Sequence, residues 1–170
     1  QPAPGQFACI FADITGRKEA EARMQHIAQH DSLTGLPNRL ALLIRLGQLL
    51  PEARRHHWKI GIMFIDLDRF KVINDTLGHQ VGDEMLREVA CRLSHVVRET
   101  DFVARLGGDE FVILLPGISS AADAALVAGK IVNALSIPIE AEGHELHTSP
   151  SIGISLFPDH AQVPTDLLKH

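Results

Sequence analysis

The sequence predicts an α+β fold in which helices pack on a mixed sheet. Three observations predict it: short apolar runs at Lys59–Ile65, Phe102–Leu106 and Phe111–Leu115, stretches of helical period between and after them, and Gly107-Gly108-Asp109-Glu110 joining two of the runs as a hairpin. The 170 residues, 45% hydrophobic and 22% charged, suit one domain with a short extension and a real core. A formal net charge of −5 supplies no basic field for nucleic acid or an anionic membrane, so a polyphosphate ligand has to be held locally with a divalent cation. No apolar run reaches the length of a membrane span, and no secretory signal is visible. Cys9 and Cys91 read as small buried hydrophobes in a reducing cytoplasm rather than as a disulfide. The chain opens on Gln1 and reads as an excerpt of a longer protein, which leaves a membrane anchor elsewhere in the parent open.

Phe7–Phe11 reads as the end of a strand and Asp13-Ile14-Thr15-Gly16 as a turn. Arg17–His30 is a connecting helix with Ala20, Met24 and Ile27 on one face, either pairing with a second copy as a short coiled coil or packing on its own domain. Asp31–Pro37 stops it. Asn38 is a good N-cap for the next helix, where Leu40, Leu43, Ile44 and Leu50 are expected to share the buried face. Lys59–Ile65 is a buried strand. Asp83 opens a helix whose buried side is Leu86, Val89, Ala90, Leu93 and Val97. After the hairpin, Ala121–Leu135 is helical, Ile137–Ile139 and His144–Leu156 have strand character, and Asp166–His170 begins a further helix.

Two acidic sites fall at strand ends: Asp66-Leu67-Asp68 at the exit of a buried strand, and Asp109-Glu110 on the hairpin. If the two strands are neighbours, Asp66 and Asp109 converge on one cation, and Mg²⁺ favours one or two carboxylates completed by phosphates and water. Paired metals also suit activation of a hydroxyl for in-line attack on phosphorus. Gly107 and Gly108 permit positive φ and close approach of a ligand to the main chain; an ordinary hairpin with solvated acids at its tip is the alternative. His26/His30, His56-His57 and His144/His147 read as surface histidines, because nothing nearby completes a ligand set.

The segment Arg105-Leu106-Gly107-Gly108-Asp109-Glu110-Phe111 resembles the signature of the GGDEF family. So do Phe64–His79, Val81-Gly82-Asp83-Glu84, Asp31–Arg39 and Ser151–Ser155, five blocks in family order across residues 30 to 157. The resemblance implies a ferredoxin-like core akin to cyclase and polymerase palm domains. It implies a diguanylate cyclase that joins two GTP into cyclic di-GMP, with one GTP on each of two facing domains, hence a homodimer. By position, Asp66, Asp109 and the Leu67 carbonyl would hold Mg²⁺, with Mn²⁺ as the alternative metal. Asp109 would also help deprotonate the ribose 3′ hydroxyl, and Glu110 would support the site. Lys71 would offset triphosphate charge. The amides of Arg69 and Phe70 would face the phosphates, and those of Gly107 and Gly108 would line the nucleotide.

Asn74 and Asp83 would read guanine, whose N1–H and N2–H donors a carboxylate accepts. A turn role for Asn74 and an N-cap role for Asp83 are the simpler alternatives. His79 would sit near base or ribose, or pack a turn. Arg98 and Asp101 stand at the spacing of the family's inhibitory RxxD product site; Arg98 as a helix-end cation and Asp101 as a turn former are the alternative.

Residues 1–30 resemble the last strand and exit helix of a PAS-type sensor, leaving 31–170 as the GGDEF domain, shortened at its C-terminal end. Asp31–Arg39 and His144–Pro158 resemble cyclases followed by an EAL phosphodiesterase domain. A regulatory module binding GTP or cyclic di-GMP is the competing class, and a dimerisation element built on Arg17–His30 ranks behind it.

Overall fold

The computed structural model describes residues 24–160. The expected strand Phe7–Phe11, turn Asp13–Gly16, Cys9, most of the helix Arg17–His30 and the start at Asp166–His170 lie outside the described residues. Residues 24–29 are helical, with Met24 and Ile27 exposed, so neither packs on its own domain. The chain then turns sharply. His30 bridges Pro37, and the turn closes through Asp31 N–H to Leu36 C=O at 2.8 Å and Gly35 N–H to Asp31 C=O at 2.9 Å.

Asn38 starts α1, Arg39–His56, as expected. Its Oδ1 accepts from Leu40 N–H and Ala41 N–H at 2.9 and 3.2 Å, while its Nδ2 donates back to Ala28 C=O at 2.8 Å. One side chain therefore satisfies the free amides of α1 and ties the incoming helical turn to it. The buried face of α1 differs from expectation: Ala41, Leu42, Leu46, Leu49, Leu50 and Ala53 point inward, whereas Leu40, Leu43 and Ile44 stay 42–49% exposed. The helix is apolar on adjacent stripes, and only its angle against the sheet decides which is covered.

β1, Lys59–Leu67, runs between β3 and β6 in a four-stranded sheet of order β2-β3-β1-β6. β2 spans Phe102–Gly107, β3 Glu110–Ile118 and β6 Pro150–Phe157. Every neighbouring pair among these strands is antiparallel, within the α+β arrangement of sheet and flanking helices that the sequence predicts. Each helical crossover skips one position, and an antiparallel strand fills the gap. β1 and β2 are thus parallel only at one remove, as are β3 and β6, and the order is ferredoxin-like.

α2, Phe70–Leu77, and α3, His79–Val96, cross from β1 to β2; α4, Ala121–Leu135, follows β3 with the bounds the sequence predicts. The second helix of that crossover begins at His79 after Gly78, not at Asp83, so Asp83 is no N-cap. Gly78 adopts φ 92 to make the corner between α2 and α3. A small hairpin, β4 (Ile139–Ala141) and β5 (His144–Leu146), precedes β6.

The strand alternation sorts two cores. Met63, Ile65, Leu67, Phe111, Ile113 and Leu115 meet α3 and α4. Ile60, Ile62, Ala104, Val112 and Leu114 meet α1. Arg92 sews α3 to the end of α4 by donating to the carbonyls of Ala134, Ile137 and Pro138. Cys91 is exposed, contrary to expectation, because it sits on the outer side of α3. Among the described residues no helix is long and apolar enough to cross a membrane.

Candidate active site

The apolar sequence of β1 buries the strand up to Ile65 and delivers Asp66 to its exit. The register sets Asp66 directly across from Glu110 on β3 and from Ser151 on β6. Cross-strand partners share a sheet face, so the carboxylates of Asp66 and Glu110 stand side by side. Asp109 completes the group from the turn. The effect is visible on Asp66: partial burial, then the charges of Asp109, Glu110 and Asp68, hold its carboxyl above the usual 3.8. The expected convergence of the two acidic segments is therefore present.

Gly107 and Gly108 carry φ 137 and φ 53, backbone states that suit glycine, and nothing lies within 4 Å of a Cβ built on either. The turn is held from beneath. Arg105, only 8% exposed, donates from Nε and Nη2 to the Gly108 carbonyl at 3.0 and 2.7 Å. Its Nη1 reaches Asp31 Oδ1 at 2.7 Å, and Thr34 donates to the same oxygen through N–H and Oγ1. Sequence reasoning missed this clamp. The available signal was an arginine in an otherwise apolar strand, which demands a buried partner.

Asp68 was also missed as a structural actor. It accepts from the hydroxyls of Ser149 and Ser151 at 2.5 and 2.8 Å, while its main chain pairs with Ser149 and Thr148. These bonds pin the β1–α2 turn to the lead-in of β6. Arg69 follows in the left-handed region at φ 63, and α2 begins without a side-chain cap. No side chain caps the first amides of α2, and uncapped helix N-termini are places that can take phosphate. Leu67 buries its side chain at the end of β1, and Lys71 is exposed in the first turn of α2.

A groove of about 460 Å³ opens on the α1 side of the sheet, lined by Arg39, Phe64, Asp66, Glu110, Ser151 and Gly153 among others. Arg39 was not singled out from the sequence. Asn74 and Asp83 do not line this groove; they lie on α2 and α3, both half-buried, with His79 exposed at the start of α3. Among the described residues no three acidic, His or Cys side chains cage a metal by themselves. The donors present, two carboxylates and a main-chain oxygen at Leu67, fit a hard cation that keeps open positions for phosphate.

Arg98 and Asp101 form a closed turn after α3, with Arg98 N–H donating to Asp101 Oδ2 at 2.9 Å and Asp101 N–H to Arg98 C=O at 3.0 Å. The turn-forming alternative for Asp101 is therefore present. Both residues also line a cleft of about 380 Å³ with Asp123 and Lys130. His26 and His30 stack with ring centroids 3.9 Å apart.

Residues 28–170 match the family described as diguanylate cyclase, GGDEF domain. The chain belongs to that family. It is 46% identical over 152 residues to diguanylate cyclase TpbB of Pseudomonas aeruginosa, covering 89% of this chain and 35% of TpbB. It is 44% identical over 154 residues to the bifunctional diguanylate cyclase/cyclic di-GMP phosphodiesterase MucR of the same species, covering 91% of this chain and 22% of MucR. The chain thus spans about a third or less of these relatives. The solved GGDEF domain of TpbB superposes with a TM-score of 0.80 at 48% identity, covering 82% of this chain and 81% of that one. The coiled coil and GGDEF domain of DgcB from Caulobacter crescentus, solved with c-di-GMP, gives a TM-score of 0.80 at 28% identity, with 88% and 81% covered.

Proposed function

We propose that this GGDEF domain is a working diguanylate cyclase that condenses two GTP into cyclic di-GMP across a pair of domains. The observation that carries the reading is the register of β1 on β3, which sets Asp66 beside Glu110 and next to the turn that holds Asp109; partial burial and then these neighbouring charges raise the Asp66 carboxyl. Crowded carboxylates of this kind are relieved by a divalent cation. Asp66, Asp109 and the Leu67 carbonyl would hold Mg²⁺, or Mn²⁺ in its place. When bound, the metal supplies charge neutralisation at the phosphates and acidifies a hydroxyl.

The chain's own groups do the rest. The uncapped start of α2 at Arg69 and Phe70, with Lys71 beside it, takes the triphosphate. Gly107 and Gly108 leave room for the nucleotide along the hairpin. Asp109 accepts the proton of the 3′ hydroxyl, and Glu110 sustains the local field. The freed oxygen attacks the α-phosphorus of the GTP on the partner domain, and the bond to pyrophosphate breaks in line. The reciprocal step closes the ring and releases a second pyrophosphate. Asn74 and Asp83 select guanine, with His79 near base or ribose. The cleft at Arg98 and Asp101 takes the product for feedback inhibition, a guanidinium and a carboxylate matching the edges of guanine.

Residues 1–30 belong, in this reading, to the end of a PAS-like sensor and its linker, with an EAL domain following the GGDEF domain in the parent. The deciding experiment incubates the full chain with GTP and Mg²⁺ and separates the nucleotides by chromatography. Cyclic di-GMP and pyrophosphate are expected, and Asp109→Asn should abolish both. GTP binding without product would overturn the reading.

A second reading, a silent regulatory module, draws on one observation: the chain is 36% identical over 162 residues to a protein named cyclic di-GMP phosphodiesterase PdeR, from Escherichia coli. In that case GTP alters a neighbouring domain's activity without being consumed.

A further inference from the structure

Gly82 is buried on α3 and faces Asn74 of α2. A Cβ built on Gly82 would overlap Asn74 Oδ1, stand 3.0 Å from Asn74 Cγ and lie 3.3 Å from Phe70 Cε2. Its φ is not in the positive range, so the backbone does not require glycine there. A glycine inside a helix is less favourable than alanine. The Asn74 oxygen seated against it is buried with no hydrogen-bond partner, a further cost. Two unfavourable choices meet at one contact, which stability alone does not explain.

We infer that Gly82 is a positioning residue for base selection, its missing side chain forming the recess that seats the Asn74 amide next to Asp83. This rests on the reading of Asn74 and Asp83 as guanine contacts. With Oδ1 turned into the recess, Nδ2 is the outward group. An outward donor beside the Asp83 carboxylate pairs with guanine, which offers an O6/N7 acceptor edge and N1–H and N2–H donors. Adenine offers a donor at the 6-position and no N1–H. A side chain at residue 82 drives the amide out of register with Asp83, since the Asn74 oxygen stands far closer to the added carbon than the Phe70 ring does.

The test uses 3′-deoxy-GTP and 3′-deoxy-ATP with Mg²⁺, which lack the attacking hydroxyl, titrated into the full chain by calorimetry. Asn74→Ala should lower the guanine-over-adenine affinity ratio by about tenfold. Gly82→Ala should lower it by the same factor with 3′-deoxy-ATP affinity unchanged, and the double variant should add nothing. A folded Gly82→Ala that keeps the ratio, or that weakens both nucleotides equally, overturns the inference. A wild-type protein with no guanine preference removes the guanine assignment itself and the inference with it. Should Gly82→Ala not fold, the Asn74→Ala/Gly82→Ala protein decides: recovered folding locates the clash at Asn74 and supports the recess, whereas continued failure assigns Gly82 to packing against Phe70 and overturns it.

Discussion

The two turns that present the acids are held by opposite means. The hairpin turn is fixed from inside, by the buried guanidinium of Arg105, which donates three hydrogen bonds to Gly108 and Asp31. The β1–α2 turn is fixed at the surface, by serine hydroxyls on the exposed carboxylate of Asp68. A buried charge stranded by loss of its partner is costly, whereas water readily replaces a hydroxyl on an exposed carboxylate. The hairpin is thus the rigid wall of the site, and the β1–α2 turn is the one with freedom to adjust.

Four measurements break or sharpen that contrast. The largest effect belongs to the acids both turns deliver. Asp66→Asn should lower cyclic di-GMP formation by a factor on the order of 10³. In metal-free buffer the same variant should melt no lower than wild type, because it removes a carboxylate that partial burial and neighbouring charges disfavour. A marked drop in melting temperature would show that Asp66 holds the fold rather than the ligand.

Next comes Arg105→Ala, expected to cost about 3 kcal/mol in denaturant unfolding, since it leaves Asp31 without its cation and takes both side-chain donors from the Gly108 carbonyl. A loss under about 1 kcal/mol would erase the distinction between the turns.

The third is a pH series on Asp31→Asn. Burial, the largest influence, pushes the Asp31 carboxyl up, but hydrogen bonds from Thr34 and Arg105 and the Arg105 charge together bring it below 3.8. A depressed carboxyl stabilises the fold above its unfolded value and loses that contribution as pH falls through the folded one. Wild type should therefore be more stable than Asp31→Asn at neutral pH, with the gap closing below pH 3.8. A gap constant through that window would assign the clamp to shape rather than charge.

The smallest effects belong to the surface clamp. Ser149→Ala and Ser151→Ala should each change stability only slightly, since water replaces the lost hydroxyl on Asp68, and their main consequence should be a raised KM for GTP. An effect as large as that of Arg105→Ala would mean that both turns are equally rigid.

Much of this was legible in the sequence. The apolar run ending at Asp66, the glycine hairpin and the bounds of α4 are local patterns, and the structure repeats them. The face of α1 was misread because leucines on neighbouring stripes give the same period, and only the sheet beneath chooses between them. The start of α3 was misplaced because Gly78 turns the chain with a positive φ and needs no side-chain cap. Arg105 to Asp31, Asp68 to Ser149 and Gly82 to Asn74 are contacts between segments whose meeting no local pattern announces.

From Ile60 to Asp66, β1 has a paired strand on each flank. Its amides should then be among the last in the domain to exchange with deuterium, surrendering only when the molecule opens globally. Asp66 rides on the end of that slow core, so partial openings that loosen the outer helices should leave its place relative to Glu110 intact.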